Sequence, residues 1–187
     1  MADLQATFRS VMKRPNPNNL TPDEIFAVVA YTIENQHGIS IYRRLSEVLR
    51  NQNPTNSAGN VSGVRGELEP WKEFLHFLMK GLHKLPEGKG KVFRGIGCQT
   101  DEDVQKTAAK YVVGSMVEWF GLSSTSTSKQ TALDFIDING GQGILFEIDL
   151  WFGRDVRAYS AIPGENELLA LPNTSLHITS NSHASSS

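Results

Sequence analysis

Gly140-Gly141-Gln142-Gly143-Ile144-Leu145-Phe146-Glu147-Ile148 is a glycine-rich turn that runs directly into a stretch of strand composition. Glycine lets the chain reverse, and the β-branched and aromatic residues after it suit a pleated, half-buried surface. The same pairing of turn and short apolar run recurs on both sides of it. Val92-Phe93-Arg94, Met116 to Phe120, Glu167 to Leu171 and Thr174 to Thr179 read as further short strands, bounded by Gly-, Pro- and Ser-rich turns. One short helix, Ser128 to Ile136, is set among them.

The N-terminal half reads as helical. Thr21-Pro22-Asp23-Glu24 joins an N-cap hydroxyl, a proline at the first helical position and a glutamate that completes a capping box. Ile25, Val28, Val29 and Thr32 follow at helical spacing until Gly38 permits a break. A second helix is expected from Ile39 to Leu49, a loop from Asn51 to Gly66, and then a third helix with Leu68, Trp71, Leu75, Leu78 and Leu82 on one stripe. Pro86-Glu87-Gly88 stops it. The expected class is α+β: one domain over residues 1–187, with a helical lobe (1–90) packed on a mostly antiparallel sheet core (91–180) and a disordered Ser-rich tail (181–187).

Composition narrows the function. Hydrophobic residues make up 39% and charged residues 20%, as in a globular protein with a real core. A net charge of -2 argues against a nucleic-acid partner, which is normally met by a basic stripe. No apolar run approaches the ~20 residues that span a bilayer. Met1-Ala2-Asp3-Leu4-Gln5 lacks the basic start and apolar core of a secretion signal, and Cys98 is the lone cysteine, so a cytoplasmic or otherwise intracellular location is expected. The five histidines show no metal-ligand spacing, and no bound metal is expected. A phosphate-binding P-loop and a Gly-x-Ser-x-Gly elbow are both missing, and Gly88-Lys89-Gly90 precedes a strand where a dinucleotide fingerprint must follow one.

Three stretches carry chemistry. Val92-Phe93-Arg94-Gly95 ends an apolar strand in an arginine able to grip a phosphate or ribose, and Gly95 would admit a ligand close to the backbone. Ser123-Ser124-Thr125-Ser126-Thr127-Ser128 has hydroxyls for two tasks: one caps the following helix, and an upstream serine faces the site to orient a carboxylate or amide. Gly164-Glu165-Asn166-Glu167-Leu168-Leu169 reads as a strand on which Glu165 and Glu167 share a face, roughly 6.6 Å apart. Each has a plainer reading as well: a surface arginine, a helix cap, an exposed edge-strand pair.

Taken in order, Arg … Ser-Thr-Ser … Glu-x-Glu resembles the arginine-specific mono-ADP-ribosyltransferases. Leu20-Thr21-Pro22-Asp23-Glu24, Tyr31-Thr32, Ile41-Tyr42, Leu49-Arg50, Leu82 to Pro86, Trp119 to Ser124 and Tyr159-Ser160 are similar to the eukaryotic-type enzymes, so the likeness covers about Leu20 to Thr179. The resemblance implies the ADP-ribosyltransferase fold, with a two-sheet core that binds NAD as a consumed co-substrate and a protein arginine as acceptor. It implies that Arg94 holds the phosphate and ribose side of NAD, that the Gly95 backbone pairs with the nicotinamide amide, and that Ser124 orients a catalytic Glu167. Glu165 is then the residue that makes arginine the acceptor. Phe135 stands where relatives set an aromatic against the nicotinamide, and reads equally as a core residue of a short helix.

The chemistry suits these types. Nicotinamide leaves neutral and needs no general acid, whereas the oxocarbenium-like ribose needs a preorganised carboxylate. A guanidinium acceptor stays protonated, so a second carboxylate must align it and help remove a proton. The chain departs from many relatives at Ile162, where they carry an aromatic that contacts the target, and at Ile136-Asp137-Ile138, which lacks the extra arginine of some bacterial toxins. An NAD glycohydrolase and an inactive NAD-fold binding module are the competing readings. A poly-ADP-ribose polymerase would carry His where Arg94 stands.

Overall fold

The computed structural model describes residues 2–33, 41–51, 67–138 and 141–181. The break at Gly38, the helix start at Ile39, the loop over 52–66 and the tail from 182 onward lie outside the described residues.

Helices come first: α1 (Ala2–Val11), α2 (Pro22–Thr32), α3 (Ile41–Asn51) and α4 (Lys72–Lys84), the last entered through a 3-10 turn at Glu69–Trp71. The sequence reading had no α1. Its apolar residues Leu4, Phe8 and Val11 bury against the other helices, and the Phe8 ring stands edge-on to Phe26 at 5.5 Å, so tertiary contact stabilises a segment with weak local signals.

α2 is the centre of this lobe. Its capping box is formed: Thr21 Oγ1 accepts from the Glu24 N–H at 3.3 Å, and Glu24 Oε2 accepts from the Thr21 N–H at 2.8 Å. Glu24 is nevertheless buried, and Lys84 Nζ reaches the same carboxylate at 2.7 Å. Burial pushes the Glu24 carboxyl up, but the Lys84 ammonium and the Thr21 N–H together outweigh it and hold the carboxyl below its ordinary value. Gly81 on α4 lets the two helices approach closely here, since a Cβ would sit 3.3 Å from Glu24 Cβ.

The strands follow, with β1 (Glu87–Cys98), β2 (Met116–Trp119), β3 (Ser123–Ser126), β4 (Gln142–Asp155), β5 (Glu167–Ala170) and β6 (Thr174–His177). Helix α5 (Asp101–Ala108) begins at the N-cap Thr100, with Asp101, Glu102 and Asp103 in its first turn as expected, and α6 (Lys129–Ile138) follows β3. Every described strand pairing is antiparallel: β1-β3-β5-β4 closes on itself, and β2 and β6 make a separate pair.

Two strands are longer than their local composition predicts. β1 opens at Glu87 rather than near 91, and β4 continues past Ile148 to Asp155. The two pair almost end to end, from Glu87↔Arg154 to Cys98↔Gln142, with a bulge between Gly88 and Gly90, the latter at φ 119°. The third helix does stop before Pro86, and Glu87 and Gly88 of the stop signal already belong to the strand. At Gly153 a Cβ would meet Leu150 Cδ2 at 2.7 Å and Leu169 O at 3.1 Å, so only glycine lets β4 bend onto β5 and close the sheet. The helical core does not end at the helices: Leu122, Val156, Tyr159 and Leu169 of the sheet half bury in one cluster with Val28, Leu45 and Leu82.

Candidate active site

Antiparallel pairing brings the Ser-Thr-Ser segment and the second glutamate together. In the β3–β5 ladder Ser126 stands opposite Glu167, and Ser124, two residues along, shares its face and reaches Glu167 diagonally. Ser124 Oγ donates to Glu167 Oε1 at 2.5 Å. Glu167 is 5% exposed, so its carboxylate is held by a hydroxyl in a largely dry setting. Thr125 serves the scaffold, donating to Leu168 O at 2.6 Å. Within the Ser123–Ser128 run, Ser123–Ser126 form a strand, in which the hydroxyls of Ser124, Thr125 and Ser126 donate to β5 and the turn before it. The helix cap expected from this run is Ser128, whose Oγ accepts from the Thr131 N–H at 3.3 Å.

Arg94 projects from β1 beside this pair. Its Nη1 donates to Ser124 O at 2.6 Å, and its guanidinium carbon lies 5.4 Å from the centre of the Trp119 ring. Trp119 is itself fixed: Nε1 donates to the Tyr111 hydroxyl at 3.2 Å, and Phe146 packs edge-on to both rings. Trp119 had no site role in the sequence reading. The available signal was an indole on the strand just before the serine run, which pairing turns into a platform for the guanidinium.

Gly95 is needed for the packing of the fold as well as for any ligand. A Cβ there would sit 2.1 Å from Ala132 O and 2.9 Å from Ile136 Cγ1, so helix α6 approaches this backbone closely, while Gly95 also lines the cavity. That approach brings Phe135 to the cavity. Of its two readings, the half-buried Phe135 takes the cavity wall and not the core.

Glu165 corrects the strand-pair expectation. It closes a 3-10 turn, Pro163–Glu165, and Asn166 after it adopts a left-handed conformation at φ 50°, ψ 45°. The two glutamates do not lie on one strand. The turn is docked on β3: Ser126 Oγ donates to Glu165 O at 2.5 Å, and the Thr127 N–H to Asn166 O at 3.3 Å. At the start of the same loop, hydrogen bonds from Arg157 hold the Asp155 carboxyl below its ordinary value.

Arg94, Gly95, Ser124, Phe135, Glu165 and Glu167 all line one cavity of about 350 Å³, within the size range of ligand sites. A guanidinium, a hydroxyl-held carboxylate and an aromatic wall suit a ligand that is at once anionic, ribose-bearing and flat.

A closed antiparallel sheet with this cavity, backed by a helical lobe, is the fold of solved ADP-ribosyltransferases. The chain belongs to the NAD:arginine ADP-ribosyltransferase family, whose model matches residues 3–187. It is 28% identical over 173 residues to the erythroblast NAD(P)(+)–arginine ADP-ribosyltransferase of Gallus gallus, covering 90% of this chain and spanning half the length of that relative. The fold is shared with the ADP-ribosyltransferase HopU1 of Pseudomonas syringae pv. Tomato DC3000, at TM-score 0.67 and 21% identity over 91% of this chain and 77% of that one. It is shared as well with the eucaryotic mono-ADP-ribosyltransferase ART2.2, at TM-score 0.63 and 20% identity over 92% and 67%.

Proposed function

We propose that the protein cleaves NAD at the nicotinamide–ribose bond and transfers ADP-ribose to an arginine of another protein. The observation that carries this is the buried Glu167 carboxylate held by Ser124, with Arg94 and Glu165 in the same cavity. The family and the relative's arginine-directed name support the acceptor class.

In this reading Arg94 draws the phosphate side of NAD toward β1 and Phe135 walls the nicotinamide. Glu167 stabilises positive charge on the ribose as neutral nicotinamide leaves. Its carboxylate is already turned by Ser124, so little reorganisation is required. Glu165, on the more exposed turn, meets the acceptor guanidinium by charge-assisted hydrogen bonds and accepts its proton as the new bond forms.

The test is incubation with NAD labelled in its ADP-ribose half and a free guanidino compound, comparing the native protein with Glu167→Gln. Label should pass to the guanidino compound, and the variant should lose activity by on the order of 100- to 1,000-fold. Label released only as free ADP-ribose would make the protein an NAD glycohydrolase. No NAD consumption would leave an inactive binding module.

A further inference from the structure

The loop between β4 and β5 carries Glu165, and the helical lobe grips it up to the edge of the cavity. Tyr159 is buried in the helical core, with its hydroxyl donating to Asn16 Oδ1 at 2.7 Å. Arg14 Nη1 donates to Ser160 O at 2.9 Å. Closest to the turn, the Ala161 N–H donates to Thr32 Oγ1 at 3.0 Å, while the same hydroxyl donates to Val29 O at 3.2 Å. Thr32 is the last residue of α2, is 6% exposed and stands at the edge of the same cavity as Arg94, Ser124 and Glu167. Past Ala161 the tip is open, with Ile162, Pro163 and Gly164 exposed, until Ser126 takes hold of Glu165 O from β3.

We infer that Thr32 is a positioning residue for the acceptor: its hydroxyl fixes Ala161, and so sets where the following turn presents Glu165. This rests on the reading of Glu165 as the acceptor residue. A hydroxyl is required because it must donate to a helix carbonyl and accept an amide N–H at once, which no aliphatic side chain of the same shape does. Removing it leaves the part-buried Ala161 N–H without its acceptor, and the loop is then released on the helical side. NAD cleavage draws on Glu167, Ser124 and Arg94, all held by the β-ladders, and is spared. Thr32 therefore acts on the balance between transfer and hydrolysis through the loop it holds, from an element outside the ladders.

The experiment compares Thr32→Val, Thr32→Ser and Arg14→Met with the native protein. It reads acceptor KM and kcat with a guanidino compound, NAD hydrolysis without acceptor, and hydrogen exchange at the Ala161 amide. Thr32→Val should raise acceptor KM and speed Ala161 exchange by about five- to tenfold, as expected for losing one part-buried hydrogen bond. NAD hydrolysis should stay within about twofold of native, since the ladder contacts are untouched. Thr32→Ser should restore both readouts. Arg14→Met, outside the cavity, should show the same split more weakly and carries the test if Thr32→Val does not fold. Equal loss of transfer and hydrolysis in the folded variants, or native acceptor KM and native Ala161 exchange in Thr32→Val, would overturn the inference alone. A native protein that cleaves NAD but modifies no guanidino compound would instead remove the acceptor reading, and this inference with it.

Discussion

Glu167 and Glu165 are separated by one residue and face one cavity, yet the protein holds them by different means. Glu167 begins β5, where every residue through Ala170 is buried, and its carboxylate is tied to Ser124 across the ladder. Glu165 ends a half-exposed turn, followed by a left-handed Asn166 and tied through its backbone to Ser126. A ladder repeats its constraint at each residue pair, so it suits a group that must already be oriented when charge develops. A turn anchored at its two ends can adjust at its tip, which suits a group that meets differing protein surfaces. The physical division between ladder and turn thus parallels the proposed division between cleavage and acceptor choice.

The largest break in that comparison comes from Glu165→Gln. Losing the carboxylate should cut transfer to a guanidino acceptor by on the order of 100-fold, while NAD cleavage persists because Glu167 and Ser124 are unchanged. Parallel loss of both activities, followed with labelled NAD, would place the two glutamates in one function. A smaller effect is expected at Asn166, whose φ of 50° is hostile to β-branched side chains. Asn166→Val should cost about 1–2 kcal/mol and weaken transfer more than hydrolysis, whereas Asn166→Gly should be tolerated. Denaturant midpoints together with the two activities check this. If Val is tolerated, the turn is softer than its geometry implies.

The smallest effect concerns the lobe that backs the loop. Glu24 is held below its ordinary value of 4.5, so the ionised form stabilises the fold. That contribution is complete above about pH 4.5 and is lost as pH falls through the folded value. Urea midpoints of native protein and Glu24→Gln, measured from pH 7 to pH 3, should converge at the acid end. A constant gap between them would show that Glu24 contributes no pH dependence.

Local patterns were legible wherever one segment could satisfy itself. The Thr21–Glu24 capping box, the apolar stripe of α4 and the acidic first turn of α5 depend on neighbours three or four residues away. Less was legible where a segment depends on a distant partner. α1 buries against α2, and the glycine-rich ends of β1 and β4 become strand because they pair with each other. Ser123–Ser126 is a strand because β1 and β5 flank it. Period-2 alternation placed Glu165 beside Glu167. Alternation carries no information about the left-handed Asn166 between them, which takes Glu165 off the strand.

The order of residue types was enough to single out Arg94, Ser124, Glu165 and Glu167 as one set, because that order resembles the arginine-specific mono-ADP-ribosyltransferases; each residue taken alone also has a plainer reading. Tertiary structure alone decided that Ser124 meets Glu167 diagonally, that Trp119 lies against Arg94, that Gly95 makes room for α6, and that Glu165 rides on a turn gripped by Thr32. Side-chain chemistry is a property of each residue and survives in the linear chain. Register, close approach and loop anchoring are relations between segments far apart in sequence, and they exist only once the chain has folded.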